Sequence, residues 1–134
     1  MVDFVVDNSV AIAWIYPAQA SDYTERLLER AGGAVLHTAF IWPAEFANAA
    51  SVLVRRGALS ESLGEEMLRM VDTLRLTPDK TPPDIASLYQ LSRRHALSAY
   101  DAAYLELALR LKLPLATRDT ALEKAAQSLS LFME

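Results

Sequence analysis

The stretch VDFVVDNSVAIAWIY, residues 2–16, decides the fold class because it joins a strand pattern directly to a helix pattern. Residues 2–6 are rich in β-branched and aromatic side chains, which is typical of a buried strand. Residues 8–16 predict a short helix, and Asp7 lies at the junction between the two. A buried strand that leads straight into a helix is the first half of a βαβ unit.

The remainder of the chain repeats this alternation. Further strands are predicted at residues 35–38, 74–77, 113–117 and 129–133. Helices are predicted between them, with their starts at Ser21, Pro43, Ser60, Ser98, Asp119 and, in the capping box Thr81-Pro82-Pro83-Asp84, at Pro82. The expected fold class is α/β, a three-layer α/β/α architecture whose mainly parallel sheet has roughly five strands. We expect a single domain over residues 1–134.

Composition excludes several classes of protein. Hydrophobic residues make up 52% of the chain, which excludes intrinsic disorder. The chain has no Cys, which excludes disulfides, thiolate metal sites and a Cys nucleophile, and which fits a cytoplasmic location. A net charge of −4 argues against a protein that coats nucleic acid through a general basic surface. No segment is long and apolar enough to cross a membrane, so we expect no membrane partner.

Four acidic residues lie at helix starts in this pattern: Asp7, Glu45, Asp101 and Asp119. Each alone has an ordinary interpretation, since an acid in a first helical turn binds free backbone N–H groups and opposes the helix dipole. In a parallel sheet, however, helix starts share the edge at the carboxyl ends of the strands, so several of these acids should meet there. Converging carboxylates repel one another unless a cation lies between them, and all-oxygen donors favour Mg²⁺ or Mn²⁺.

Two hydroxyl residues accompany the acids. Ser9 follows Asp7 by two positions, and Thr117 precedes Asp119 by two positions. We expect both hydroxyl groups to join the acidic cluster.

Four segments, taken in order, resemble a known family: Val5-Val6-Asp7-Asn8-Ser9, Pro43-Ala44-Glu45-Phe46-Ala47-Asn48-Ala49, Leu97-Ser98-Ala99-Tyr100-Asp101-Ala102-Ala103-Tyr104 and Leu115-Ala116-Thr117-Arg118-Asp119. Together they resemble PIN-domain proteins, and more narrowly the VapC-type toxins of bacterial toxin–antitoxin pairs. The resemblance implies a PIN-like fold and a metal-dependent endoribonuclease. It places the family's acidic quartet on the four acids above and its Thr-x-Asp element on Thr117 and Asp119.

The resemblance and the chemistry together suggest a role for each acid. Asp7 and Asp101 are expected to be the main ligands of Mg²⁺ or Mn²⁺, and Asp119 a further ligand. Glu45 is expected either to bind the metal or to orient the attacking water. A metal held in this way would activate a water for attack on phosphorus and offset charge on the departing oxygen.

Basic residues provide candidate contacts to RNA. Arg118 lies inside the Thr-x-Asp element and is the expected phosphate contact. The pairs Arg55-Arg56 and Arg93-Arg94 either line the approach of the substrate or only end helices, where Arg is favoured in any case. The sequence leaves both interpretations of these pairs open.

The resemblance also implies protein partners. These are a VapB-type antitoxin, whose C-terminal segment covers the site, and a second copy of the chain in a homodimer. Most aromatic residues near the first and third predicted helices are expected in the core, and some in a groove for a partner helix: Trp14, Tyr16, Phe40, Trp42 and Phe46.

Three other functions stay open at this point. His37 and His95 would form a metal-free acid–base pair, a reading that activity in excess EDTA would favour. A phospho-acceptor signalling domain would need an acceptor Asp after the third strand and a Lys after the last, but the last predicted strand has no Lys after it. A catalytically silent PIN scaffold that only binds RNA or protein is the third.

Overall fold

A computed structural model describes residues 2–134 and places four short strands in one parallel sheet. The strands are β1 (Phe4–Val6), β2 (Leu36–Thr38), β3 (Thr77–Pro78) and β4 (Leu115–Ala116). Their order across the sheet is β3-β2-β1-β4, and every neighbouring pair is parallel. Because β1 is central, the residue that follows it lies at the middle of the carboxyl edge of the sheet.

Seven α-helices flank this sheet in the described part of the chain. They are α1 (Asn8–Ile15), α2 (Asp22–Arg30), α3 (Trp42–Arg55), α4 (Glu61–Asp72), α5 (Ile85–His95), α6 (Ala99–Leu111) and α7 (Thr120–Ser128). A 3₁₀ turn at Pro17–Gln19 follows α1. The α/β fold class with a mainly parallel sheet, predicted from the alternation of patterns, is confirmed.

Side-chain caps fix several helix starts where the sequence places them. The hydroxyls of Ser21, Ser60 and Ser98 each accept a hydrogen bond from a backbone N–H in the first turn of α2, α4 and α6. Each of these bonds satisfies a backbone donor that has no partner inside the helix. Cap chemistry is local, which is why these boundaries can be read from sequence.

The predicted fifth strand at residues 129–133 is not a strand. It makes one isolated bridge, between Leu115 and Phe132. Ser130 has a φ of 56°, a left-handed conformation that interrupts an extended chain, so only the last residues of the segment run beside β4. The sheet therefore has four strands rather than roughly five.

Two further boundaries differ from the prediction for backbone reasons. Arg75 has a φ of 51°, so the extended segment begins only after it and β3 is Thr77–Pro78 rather than residues 74–77. Helix α5 begins after Asp84, whose carboxylate accepts from Ser87 N, rather than at Pro82. A residue that precedes Pro is disfavoured in the helical region, so Pro83 keeps Pro82 out of the helix.

The core forms around β1 and α6. All three residues of β1 are fully buried. Helix α6 buries side chains around most of its circumference, as its apolar sequence predicts: Ala102, Ala103, Tyr104, Leu105, Leu107 and Ala108. Over residues 2–134, none of the helices combines the length and the apolar character that a membrane span requires.

Candidate active site

Asp7 follows β1 directly and is almost completely buried, with 4% of its surface exposed. It is the N-cap of α1, and its Oδ1 accepts from Val10 N at 3.2 Å. The same oxygen accepts from the Ser9 hydroxyl at 2.6 Å, and Oδ2 accepts from the Thr117 hydroxyl at 2.5 Å. Three hydrogen bonds from two parts of the chain therefore hold this carboxylate in one orientation.

The two hydroxyl groups also tie the end of β4 to the end of β1. Thr117 Oγ1 accepts from Asp119 N at 3.0 Å, and Ser9 Oγ accepts from Arg118 N at 2.9 Å. Each hydroxyl thus accepts a backbone bond near the start of α7 and donates to Asp7. The structure brings the hydroxyls of Ser9 and Thr117 onto the same carboxylate.

The electrostatic state of Asp7 is unusual for a carboxylate. Its pKa is raised to about 6, mainly because burial penalises the charged carboxylate and to a smaller extent because of the nearby charge of Asp101, while the hydrogen bonds from Ser9, Thr117 and Val10 oppose this rise. Within residues 2–134, Asp7 takes part in no ion pair. A buried carboxylate without a counter-charge is costly, and a bound cation would remove that cost.

Glu45 and Asp101 lie beside this centre on two other helices. Both are half-buried, and burial is the largest cause of the raised pKa of each. The Glu45 carboxylate accepts from the Tyr104 hydroxyl, with Oη and Oε1 2.6 Å apart. Tyr104 is fully buried, and its burial and this bond hold its pKa far above the usual range, so its hydroxyl stays protonated.

Asp101 connects the four acids electrostatically. Its charge raises the pKa of Asp7 and of Glu45, and the charge of Asp119 raises the pKa of Asp101 itself. These residues, Asp7, Glu45, Asp101 and Asp119, are called the acidic row below. The fold therefore brings Asp101 into electrostatic range of each of the other three carboxylates, including that of Asp7, 94 positions earlier in the chain.

The acidic row is not a closed metal cage. Within residues 2–134, no three Asp, Glu, His or Cys side chains stand close enough together to surround one ion. This donor set still fits Mg²⁺, which keeps several waters and is usually held by one or two carboxylates with substrate phosphates completing its shell. The buried, uncompensated charge of Asp7 and the all-oxygen chemistry of its neighbours support the same fit.

The helix-cap interpretation explains only part of the row. Asp7 caps α1, and Asp119 caps α7 with its Oδ2 accepting from Leu122 N at 2.8 Å. In α6 the cap is Ser98, which accepts from Asp101 N at 3.1 Å. Glu45 lies in the first turn of α3, whose N-cap makes no side-chain bond, and its partner is Tyr104 rather than the helix end. The position of Glu45 therefore needs a reason other than capping.

The arginines differ in their surroundings. Arg118 is exposed, and its guanidinium donates to the backbone carbonyl of Gln19 and, at 3.4 Å, to Gln19 Oε1. Arg93 and Arg94 lie in the last turn of α5, while Arg55 and Arg56 end α3. These two pairs occupy the positions that the helix dipole favours, and their contact with RNA stays a prediction.

The two histidines lie apart. His37 lines a cleft beside β3 and the end of α6, while His95 lines a separate cleft against α7. Among the predicted aromatic residues, Trp42 and Phe46 are buried with ring centroids 5.7 Å apart, and Phe40 is exposed. The first two also line a cleft of about 230 Å³ between α3 and α4, which fits the expected mixture of core and groove.

Sequence reasoning did not assign a role to Tyr104 or to Gln19. The spacing does place Tyr104 near the acids, because a residue three positions after Asp101 lies on the same face of a helix. Its partner Glu45 is 59 positions away, so the bond itself could not be read from spacing. Nothing in the sequence indicated that the 3₁₀ turn at Pro17–Gln19 approaches Arg118.

Comparisons with known proteins agree with this fold. A model of the PIN domain family matches residues 4–128. The chain is similar to the crystal structure of PAE2754 from Pyrobaculum aerophilum, with a TM-score of 0.72 and 20% identity over 92% of this chain and 84% of that chain. It is also similar to the crystal structure of FitAcB from Neisseria gonorrhoeae, with a TM-score of 0.64 and 20% identity over 92% and 93%. No curated protein is a significant match.

The two solved structures, at this level of identity, support the fold alone. The family model goes further, because it spans most of the chain and includes all four members of the acidic row. This chain therefore belongs to the PIN-domain family, whose members are generally nucleases.

Proposed function

We propose that this protein is a Mg²⁺- or Mn²⁺-dependent endoribonuclease that acts as the toxin of a VapBC-type toxin–antitoxin pair in the cytoplasm. The observation that carries the proposal is the state of Asp7, which is buried at the centre of the sheet edge, has a raised pKa and lies in the field of Asp101. A structural acid at such a position would be expected to have a basic partner. An acid that receives a metal ion would not need one.

In this proposal Asp7 and Asp101 hold the cation, and Asp119 and Glu45 complete its surroundings directly or through water. When bound, the cation supplies Lewis-acid chemistry that makes water a nucleophile at neutral pH and stabilises charge on the departing oxygen. Thr117 keeps Asp7 in place from the β4 side by its 2.5 Å bond. Arg118 is exposed beside the row and offers its remaining N–H groups to a phosphate of the substrate.

The hydroxyl of Ser9 has a similar orienting task. It donates to Asp7 Oδ1 at 2.6 Å and accepts from Arg118 N, so it links the carboxylate to the segment that carries the proposed RNA contact. A change in the position of that segment would therefore move the Ser9 hydroxyl and, through it, the Asp7 carboxylate. Preorganised groups of this kind lower the reorganisation that the reaction requires.

The role of toxin rests on the VapC-like segments and on membership of the PIN family. It implies a VapB-type antitoxin that covers the acidic row and a homodimer of this chain. The cleft between α3 and α4, lined by Trp42, Phe46 and Leu68, is apolar and suits a segment of the antitoxin. Expression of the wild type alone should slow growth, and co-expression of a neighbouring small antitoxin gene should restore it; normal growth without that gene would contradict the role of toxin.

The activity is tested by incubating purified protein with single-stranded RNA in Mg²⁺ or Mn²⁺, and again after addition of excess EDTA. We expect internal cleavage that EDTA abolishes and that added Mn²⁺ restores. Cleavage that persists in EDTA would contradict the proposal. Tight binding of RNA without cleavage in either metal would instead favour the silent PIN scaffold.

A further inference from the structure

Tyr104 is a fully buried tyrosine whose hydroxyl reaches across to another helix. The residue is 1% exposed in the middle of α6, and its Oη donates to Glu45 Oε1 of α3 at 2.6 Å. A buried hydroxyl needs a partner, and a bond to a carboxylate is stronger than one to a neutral acceptor. Tyr104 therefore fixes one of the two oxygens of Glu45 in place.

The position of Tyr104 on its helix connects two members of the acidic row. Asp101 and Tyr104 are three residues apart in α6, and residues at this spacing lie on the same face of a helix. Asp101 is close enough to Glu45 for its charge to act on that carboxylate. One face of α6 thus supplies both a member of the row and the hydroxyl that restrains another member.

Glu45 has little else to restrain it. It lies in the first turn of α3, and among the described residues its carboxylate has no hydrogen-bond or ion-pair partner other than Tyr104. Asp7, in contrast, is held by three hydrogen bonds. Without the Tyr104 hydroxyl, repulsion from Asp101 would favour rotation of the Glu45 carboxylate away from the row.

We propose that Tyr104 is a positioning residue, whose hydroxyl holds Glu45 against the repulsion of Asp101 in the place where it serves divalent-cation binding. The inference rests on the proposed function, since it gives Glu45 a task at a metal. A different reading is that Tyr104 is only a core residue and that Glu45 merely satisfies its hydroxyl. The two readings differ in what Tyr104→Phe does to metal binding.

The test is a calorimetric titration of Mn²⁺ into the metal-free wild type, Tyr104→Phe, Glu45→Gln and the double variant. Groups that orient metal ligands typically contribute ~10- to 100-fold in affinity or activity, so we expect Tyr104→Phe to weaken Mn²⁺ binding by about 10-fold. In the Glu45→Gln background the same change should add less than about 2-fold, because both substitutions act through one carboxylate. RNA cleavage should show a lower kcat with an unchanged KM.

Trp14→Phe is the matched control. The Trp14 indole Nε1 donates a bond of similar length, 2.7 Å, but to the backbone carbonyl of Thr24 rather than to a carboxylate. We expect Trp14→Phe to leave the Mn²⁺ affinity within about 2-fold of the wild type, whatever its effect on thermal stability. An equal loss of affinity in both variants would mean that the effect is general loosening, and would overturn the inference.

A second measurement needs no substitution at Tyr104, in case Tyr104→Phe does not fold. The Cζ resonance of a tyrosine ring reports on the hydrogen bond of its hydroxyl, and Tyr104 can be assigned with Phe variants of the other four tyrosines. We expect this resonance to shift on titration with Mg²⁺, with the midpoint that calorimetry gives. A resonance that stays fixed while the protein binds Mg²⁺ would overturn the inference and leave the proposed function intact. A wild type that binds neither cation would overturn both.

Discussion

Asp7 and Asp79 both follow a strand of the same sheet, but their electrostatic surroundings are opposite. Asp79 follows β3 and pairs with Arg110, with 2.5 Å between Oδ2 and Nη2. Burial alone would raise the pKa of Asp79, but the bonds and charge of Arg110, with bonds from Thr81, outweigh it and lower that pKa. Asp7 follows β1, has no ion-pair partner in residues 2–134, and its pKa is raised to about 6.

The contrast separates an acid that stabilises the fold, Asp79, from an acid that is oriented to bind a cation, Asp7. The charge of Asp79 is already compensated by the guanidinium of Arg110. Asp7 has hydrogen bonds that orient it, but within residues 2–134 no positive charge compensates it. Removing each charge should therefore have opposite effects on stability and very different effects on activity.

Activity should distinguish the two acids most strongly. Asp7→Asn should lower RNA cleavage by at least ~100-fold, because a metal ligand contributes several kcal/mol to the transition state. Asp79→Asn should cleave at the wild-type rate. Initial rates on a fluorescent RNA, with circular dichroism as a check of folding, measure both. Wild-type cleavage by folded Asp7→Asn would remove Asp7 from the site.

Stabilisation by bound metal should be the next largest difference between the acidic row and Asp79. A ligand present at 100 times its Kd stabilises the native state by about 2.7 kcal/mol. We therefore expect Mn²⁺ to raise the Tm of the wild type and of Asp79→Asn, and to have little effect on Asp101→Asn. Thermal unfolding with and without EDTA measures this. Equal increases in all three proteins would indicate binding outside the acidic row.

The pH dependence of metal-free stability should have opposite signs at the two acids. A raised pKa means that Asp7 stays protonated to a higher pH in the native state than in the unfolded chain. Ionisation of Asp7 therefore destabilises the native state increasingly as pH rises from about 4 to 6. Asp7→Asn should then be more stable than the wild type by about 1–3 kcal/mol at pH 7, with the difference fading near pH 4. Urea unfolding in EDTA across this range measures it. A clear loss of stability in Asp7→Asn would favour the helix-cap interpretation.

Asp79→Asn should give the smallest effect. Its lowered pKa stabilises the native state above the unfolded pKa, and this contribution is lost as pH falls through the folded pKa. Because Arg110 is partly exposed, the variant should lose only about 1 kcal/mol at pH 7 and nothing in strong acid. The same urea series provides the comparison, and a stabilised Asp79→Asn would show that its ion pair does not support the fold.

The sequence predicts the parts of this site that depend on local chemistry. The strand pattern before Asp7 and the cap chemistry of Asp119 place two acids at the carboxyl edge of the sheet. The hydroxyls of Ser9 and Thr117 are two positions from these acids, and this short spacing predicts that they lie in the same cluster. The fold class follows from the same patterns, because parallel strands need helical crossovers.

Contacts that the sequence could not predict join residues far apart in the chain. The Tyr104–Glu45 bond and the Arg110–Asp79 pair depend on how the helices pack, and spacing carries no information about that. The predicted fifth strand failed because the left-handed turn at Ser130 is not signalled by a Gly. Long-range pairing therefore decides which acids are compensated, and that distinction is what separates Asp7 from Asp79.

The most direct test of a metal-binding acidic row is anomalous diffraction from a crystal of the protein grown with Mn²⁺. We expect an anomalous peak beside the Asp7 carboxylate, within coordination distance of it and of Asp101 directly or through water, and no peak beside Asp79. Ordered electron density for both side chains with no anomalous peak at Asp7, at a Mn²⁺ concentration that supports cleavage, would contradict the account.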